Sequence, residues 1–173
     1  MLSRVADDLY WFGRYIQRAE NTARAIAVHS NLVLDLPRNV AVGWSALVEI
    51  LGVDDLFRAR YGTGYAEADV VRFLVLDADN PGSVASSLAS AREILRTVRE
   101  SMPHETWEHI NNVHLILQEG GERLLARSRR QDLLQHVLDA ALMLSLIHIS
   151  EPTRQEAISY AVFCLKKKNL ERC

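Results

Sequence analysis

Apolar residues recur at alternating spacings of four and three along the first part of the chain, as in a helix that buries one face. The stripe predicts one long amphipathic helix from residue 4 to about 34, with Ser3 as N-cap and Pro37 ending it. A second stripe from Val84 to Met102 predicts another helix. The preceding Asp79-Asn80-Pro81 is typical of a helix start, because Asn caps helices and Pro is tolerated in the first turn.

Shorter apolar patterns predict further helices at about 40–51, 67–76, 103–120 and 131–143. Residues 54–66 are less regular and contain Gly62 and Gly64, which indicate a loop. Residues 70–76 have the composition of a strand but lack a second strand to pair with. The sequence therefore predicts an all-α helical bundle of long amphipathic helices.

The last 30 residues differ in composition from the rest of the chain. Residues 1–143 contain 15 basic residues, all of them arginine, whereas all three lysines and both cysteines lie beyond them. Residues 144–168 resemble the in-frame translation of a sequencing-library adapter. We therefore expect residues 1–143 to be the N-terminal portion of a helical domain truncated at its C-terminal end, and 144–173 to be an artefactual tail.

Charge and hydropathy exclude several classes of function. The net charge of −2 is too balanced for a nucleic-acid binder or a polybasic membrane binder. No apolar run approaches the 18 residues that indicate a membrane span, and the N-terminus lacks the pattern of a signal peptide. We therefore expect a cytoplasmic protein with neither a nucleic acid nor a membrane as partner.

Metal and catalytic motifs are not recognisable in the sequence. His104 and His109 are five residues apart, roughly 140° around a helix, whereas zinc-binding histidines on a helix are four apart. The chain has no pair of Glu-x-x-His segments for a di-iron site, and no nucleophile lies at a suggestive spacing from a base. The sequence thus predicts no metal, no cofactor and no identifiable catalytic residue.

A polar face on the predicted first helix is the main candidate binding site. Its members recur about every 3.6 residues, away from the apolar stripe: Tyr10, Arg14, Gln17, Arg18 and Asn21. Composition alone favours a solvated, ion-paired surface. The functional interpretations are a buried polar seam or a site for an anionic group, since arginine offers planar, bidentate donors to carboxylate and phosphate.

Two segments of the chain resemble the alpha-E family, a bacterial helical family named for a Glu-Arg motif. Residues 1–24, MLSRVADDLYWFGRYIQRAENTAR, are similar to the opening of that family, and Asn80-Pro81-Gly82-Ser83-Val84 with segments up to Asn111 resembles its second signature. The likeness covers residues 1 to about 143. In the Glu-Arg motif this chain keeps Arg18 but has Gln17 in place of the glutamate.

The resemblance implies a role beside circularly permuted ATP-grasp ligases and transglutaminase-like proteins, in systems that form or process amide bonds. One hypothesis is a non-catalytic binding or accessory component that holds a partner or peptide through the Arg14, Gln17 and Arg18 face. The alternative is an enzyme of that system with an arginine-based site for a carboxylate or acyl-phosphate. The missing acid, base or nucleophile favours the binding hypothesis. The reaction, the substrate and the oligomeric state do not follow from the sequence.

Overall fold

The computed structural model describes residues 2–35 and 43–144, and every regular element in these ranges is helical. The helices are α1 (Leu2–Asp35), α2 (Ser45–Ile50), α3 (Asp54–Tyr61), α4 (Glu67–Val75), α5 (Val84–Thr97) and α6 (His104–Leu124), with a 3-10 turn at Arg99–Ser101. Residues 127–144 form a further helical segment, here called α7. This architecture confirms the predicted all-α class.

Three predictions fall at least partly outside the described residues. They concern Pro37 as the end of the first helix, the start of the second helix near residue 40, and residues 145–173 of the expected tail. Among the described helices, none has the combination of length and apolar character that crossing a membrane requires.

The long helices α1, α5 and α6 pack side by side, with α5 in contact with both of the others. The apolar stripe of α1 is buried as its period predicts, through Phe12, Ile16, Ala19, Ala23 and Ile26. The stripe of α5 is buried in the same way, through Val84, Leu88, Ala91 and Leu95. Each large apolar side chain removed from water contributes about 1.5–3 kcal/mol, so this packing fixes the position of α1.

The short helices add an apolar cluster beside α1. In α4 five of the nine side chains are buried, and Phe73 meets the ring of Phe57 from α3 edge to face at 5.3 Å. The sequence did not predict α3, because Phe57 is its single buried residue and a pair of glycines follows it closely. Its ends nevertheless suit a helix, with acidic residues in the first turn and basic residues in the last.

Two predicted helix starts are wrong. The α1 helix begins at Leu2, so Ser3 lies within its first turn. The α5 helix begins at Val84, where the Ser83 side chain accepts a hydrogen bond from the Ser86 amide at 3.1 Å. Asn80 is buried instead, three residues before this cap, and its side chain holds a turn rather than a helix end.

The predicted end of this helix at residue 120 is matched only by a break in the backbone, because α6 continues to Leu124. Gly121 has φ +29° and ψ −119°, which interrupts the helical backbone there.

Candidate functional site

A groove of about 270 Å³ lies between the middle of α1 and the loop that leads into α5. We call it the α1 groove. Polar side chains of α1 form one wall and the loop forms another, while apolar side chains from around α2 and from α4 form the rest. The lining residues are Arg14, Gln17, Arg18, Asn21, Thr22, Leu51, Val53, Leu74, Asn80 and Gly82.

Four of the five predicted site residues line this groove: Arg14, Gln17, Arg18 and Asn21. They come together because residues three and four apart lie on the same face of a helix. Tyr10 does not line the groove. Its side chain is 60% exposed one turn earlier, and its ring meets that of Trp11 edge to face at 5.5 Å.

The two groove arginines have only neutral partners. Arg14 donates to the side-chain oxygen of Gln17 at 3.2 Å, and Arg18 donates to the backbone oxygen of Pro81 at 3.5 Å. Within the described residues, neither arginine forms an ion pair. Arg24 on the same helix differs, since it pairs with Glu20 at 2.6 Å. The groove therefore carries two positive charges that no carboxylate of the described chain neutralises.

The loop wall is held in place by a fully buried asparagine. The Asn80 side chain donates to the Phe73 carbonyl at 3.1 Å and accepts from the Gly82 amide at 2.9 Å. Thr22 of α1 in turn donates to the Gly82 carbonyl at 3.1 Å. A Cβ at Gly82 would lie 3.2 Å from the Asn80 side-chain oxygen, tighter than most such contacts. The loop is thus tied both to α4 and to α1.

Sequence reasoning did not identify the loop wall or the apolar wall of the groove. The loop wall could have been found, because Asn80-Pro81-Gly82 belongs to the second segment that resembles the alpha-E signature. That segment and residues 1–24 meet at this groove. Leu51, Val53 and Leu74 carry no such signal, since only tertiary packing brings them together.

The lining limits what the groove can do chemically. Among the described residues that line it there is no carboxylate, histidine or cysteine, so they provide none of the usual general acids and bases. In the described part of the chain, no three His, Cys, Asp or Glu side chains cluster as metal ligands would. Guanidinium and amide groups beside apolar side chains suit the binding of an anionic group that also carries an aliphatic part.

Comparison with known proteins adds a family and several relatives. A family model described as a predicted alpha-helical domain with a conserved ER motif matches residues 1–162. An uncharacterised protein of Mycobacterium bovis is 34% identical over 130 residues, and one of Mycobacterium tuberculosis strain H37Rv is 33% identical over the same length. These matches cover 66% of this chain but only 14% of each relative. No solved structure matches the chain.

Proposed function

Because this chain belongs to the Alpha-E family, we propose that it has the role expected of that family, as a non-catalytic binding component. We propose that its α1 groove holds a peptide carboxylate. The ER motif of the family falls, by resemblance, at Gln17-Arg18 in this groove. The proposal places the chain in a peptide-modification system, beside an ATP-grasp ligase and a transglutaminase-like protein. Such a system makes or processes amide bonds, so a free carboxylate is the group that its components must recognise.

One observation carries the proposal. Arg14 and Arg18 lie four residues apart on one helix face and line the same groove, and neither has an ionic partner among the described residues. A carboxylate that accepts from both would replace two neutral acceptors with an ionised one, so that both partners of each hydrogen bond would be charged. Each hydrogen bond to a charged group contributes about 1.5–3 kcal/mol.

The other walls support a peptide as the ligand. Leu51, Val53 and Leu74 offer apolar surface for the aliphatic side chain next to the carboxylate. Gln17 and Asn21 offer neutral donors and acceptors for a backbone amide. The loop wall is fixed by Asn80, so little ordering would be needed on binding.

The enzyme alternative has less support. A carboxylate or acyl-phosphate could occupy the same two arginines, but acyl transfer also needs a group that moves a proton. The lining residues that the structure describes provide no such group. With Gln17 at the glutamate position of the motif, the chain also lacks the carboxylate that the motif would contribute there.

Calorimetric titration with acetyl-dialanine, and with its amide as the uncharged counterpart, tests the binding role. We expect the acid to bind and the amide to bind at least tenfold more weakly. Arg14→Gln and Arg18→Gln should each weaken binding of the acid by about 10–100-fold, the equivalent of one charge-assisted hydrogen bond. Acetyl phosphate in the same titration tests the alternative ligand.

Arg24→Gln is the matched control, because it removes an exposed arginine of the same helix that does not line the groove. It should leave the affinity for the acid unchanged. Equal binding of acid and amide, or equal losses in all three variants, would contradict the proposal. The partner assignment is tested separately, by copurification of the ATP-grasp ligase from the same genome with the wild-type chain and with Arg18→Gln.

A further inference from the structure

A second, smaller cleft lies near the C-terminal part of α1, where Trp44, the start of α4 and the first turn of α7 meet it. We call it the Glu67 cleft. Its volume is about 60 Å³. The lining residues that matter here are Ser30, Trp44, Glu67, Arg127 and Arg130. None of them was singled out by the sequence analysis, and none lines the α1 groove.

Two arginines of α7 share one carboxylate in this cleft. Arg127 donates to both oxygens of Glu67, at 3.1 and 2.7 Å, and Arg130 donates to one of the same oxygens. Burial alone would raise the pKa of Glu67, but the hydrogen bonds from Arg130 and Arg127 lower it below its ordinary value. The carboxylate is therefore ionised at neutral pH, and the three side chains carry a net charge of +1.

Part of this charge is buried and lacks a hydrogen-bond acceptor. The Arg130 side chain is 6% exposed, and its Nη1 has no hydrogen-bond partner among the residues that the structure describes. The hydroxyl of Ser30, which lines the same cleft, is also buried and lacks a hydrogen-bond partner within residues 2–35 and 43–144. Trp44 covers the guanidinium, with the Arg130 Cζ 5.8 Å from its ring centroid. Buried donors that lack an acceptor are rare in folded proteins, so these two point to a missing acceptor.

The start of α7 adds to the excess of positive charge. Arg127, Arg129 and Arg130 all lie in its first turn, where the helix dipole disfavours cations and favours anions. The available volume corresponds to about four to six water molecules, at roughly 10–15 Å³ each. A group of four or five heavy atoms fits such a space.

We propose that the Glu67 cleft binds a small oxyanion, either phosphate or a carboxylate, which accepts hydrogen bonds from Arg130 Nη1 and Ser30 Oγ. The bound anion neutralises the excess charge of the two arginines. This site is independent of the proposed function of the α1 groove, because the two sites share no residue.

The fluorescence of Trp44 provides a direct test. The chain has three tryptophans, so the Trp11→Phe/Trp107→Phe variant leaves Trp44 as the only one. We expect phosphate, titrated at constant ionic strength against chloride, to change this fluorescence saturably and to raise the thermal midpoint as a ligand specific to the folded state does. Acetate in a parallel titration distinguishes a carboxylate site from a phosphate site.

Single substitutions test whether the anion binds in the Glu67 cleft. Ser30→Ala removes one donor and leaves the Glu67 ion pairs intact, so we expect severalfold weaker binding. Arg130→Lys keeps the charge but loses the second N–H group, so we expect at least tenfold weaker binding. Arg129→Gln, an exposed residue of the same turn that does not line the cleft, should bind as the wild type does.

The double variant Arg14→Gln/Arg18→Gln should also keep the Trp44 response, which separates this site from the α1 groove. If phosphate and acetate change neither fluorescence nor midpoint beyond the effect of chloride, the cleft holds only water and the proposal is wrong. It is equally wrong if Ser30→Ala binds phosphate or acetate as tightly as the wild type. Because Ser30→Ala removes only a hydroxyl, this comparison remains available if Arg130→Lys does not fold.

Discussion

Replacing Asn80 by alanine tests whether the loop wall of the α1 groove is held by one buried side chain. The change removes two hydrogen bonds and leaves the Phe73 carbonyl and the Gly82 amide without those partners. Asn80 is fully buried, so water does not reach its position without a rearrangement. Each lost bond costs about 1 kcal/mol net and up to about 3 kcal/mol when the group left behind stays dry.

We therefore expect Asn80→Ala to lower the free energy of unfolding by about 2–4 kcal/mol. For a chain of this length the thermal midpoint should fall by about 5–15 °C. Urea unfolding followed by far-UV circular dichroism measures the effect, and the transition midpoint should fall while the slope m stays constant.

Asn21→Ala is the matched control, because Asn21 is an exposed asparagine that lines the same groove. It should change the free energy of unfolding by no more than about 0.5 kcal/mol. If the free energy of unfolding of Asn80→Ala stays within about 0.5 kcal/mol of the wild type, the two buried hydrogen bonds of Asn80 contribute nothing measurable to stability. An equal loss in Asn21→Ala would show that the loss at Asn80 is not specific to its buried hydrogen bonds.

Three further predictions follow from individual side chains. Ser83→Ala should lower the free energy of unfolding in urea by about 1 kcal/mol, because it removes the N-cap of α5, and an unchanged value would contradict the cap. Glu67→Gln should lower the free energy of unfolding by about 1–3 kcal/mol, because it removes the ion pair with the buried Arg130. Glu20→Gln, which removes an ion pair with the exposed Arg24, should lower it by at most about 1 kcal/mol. Since the pKa of Glu67 is lowered in the fold, this difference should shrink as pH falls below about 4.5. Burial lowers the pKa of His29 and of His114, so their NMR titration midpoints should lie below 6.5. The free energy of unfolding should then decrease as pH falls through 6.5, because the unfolded chain binds these protons first. Titration midpoints above 6.5 would refute this prediction.

The period of the first helix explains why part of the site was predictable. One 3.6-residue repeat fixes both the buried stripe that includes Phe12 and Ala23 and the polar face that includes Arg14 and Arg18. Once the stripe packs against α5, the groove residues must lie together. Tyr10 obeys the same period but lies one turn before the groove, and no local pattern marks where the groove ends.

The loop wall was not predictable by the same reasoning. Asn before Pro is locally a good helix start, but Ser83 is an alternative cap three residues later. The choice is made by tertiary packing, because the Phe73 carbonyl provides a buried acceptor for the Asn80 amide. The Glu67 cleft was unpredictable for a related reason, since its charges come from segments about 60 residues apart.

The continuity of α1 sets the spacing of the two arginine sites. Arg18 lines one and Ser30 lines the other, so 12 residues of uninterrupted helix separate them, about 18 Å along the axis and about a third of a turn around it. That distance is roughly twice the screening length at physiological salt, so charge at one site has little effect on affinity at the other. For its backbone to span this distance, a single extended peptide would need acidic residues about six positions apart. It would also have to pass about a third of the way around the helix. Because α1 fixes this separation, a peptide whose acidic residues are much closer together in sequence is not expected to bridge the two sites.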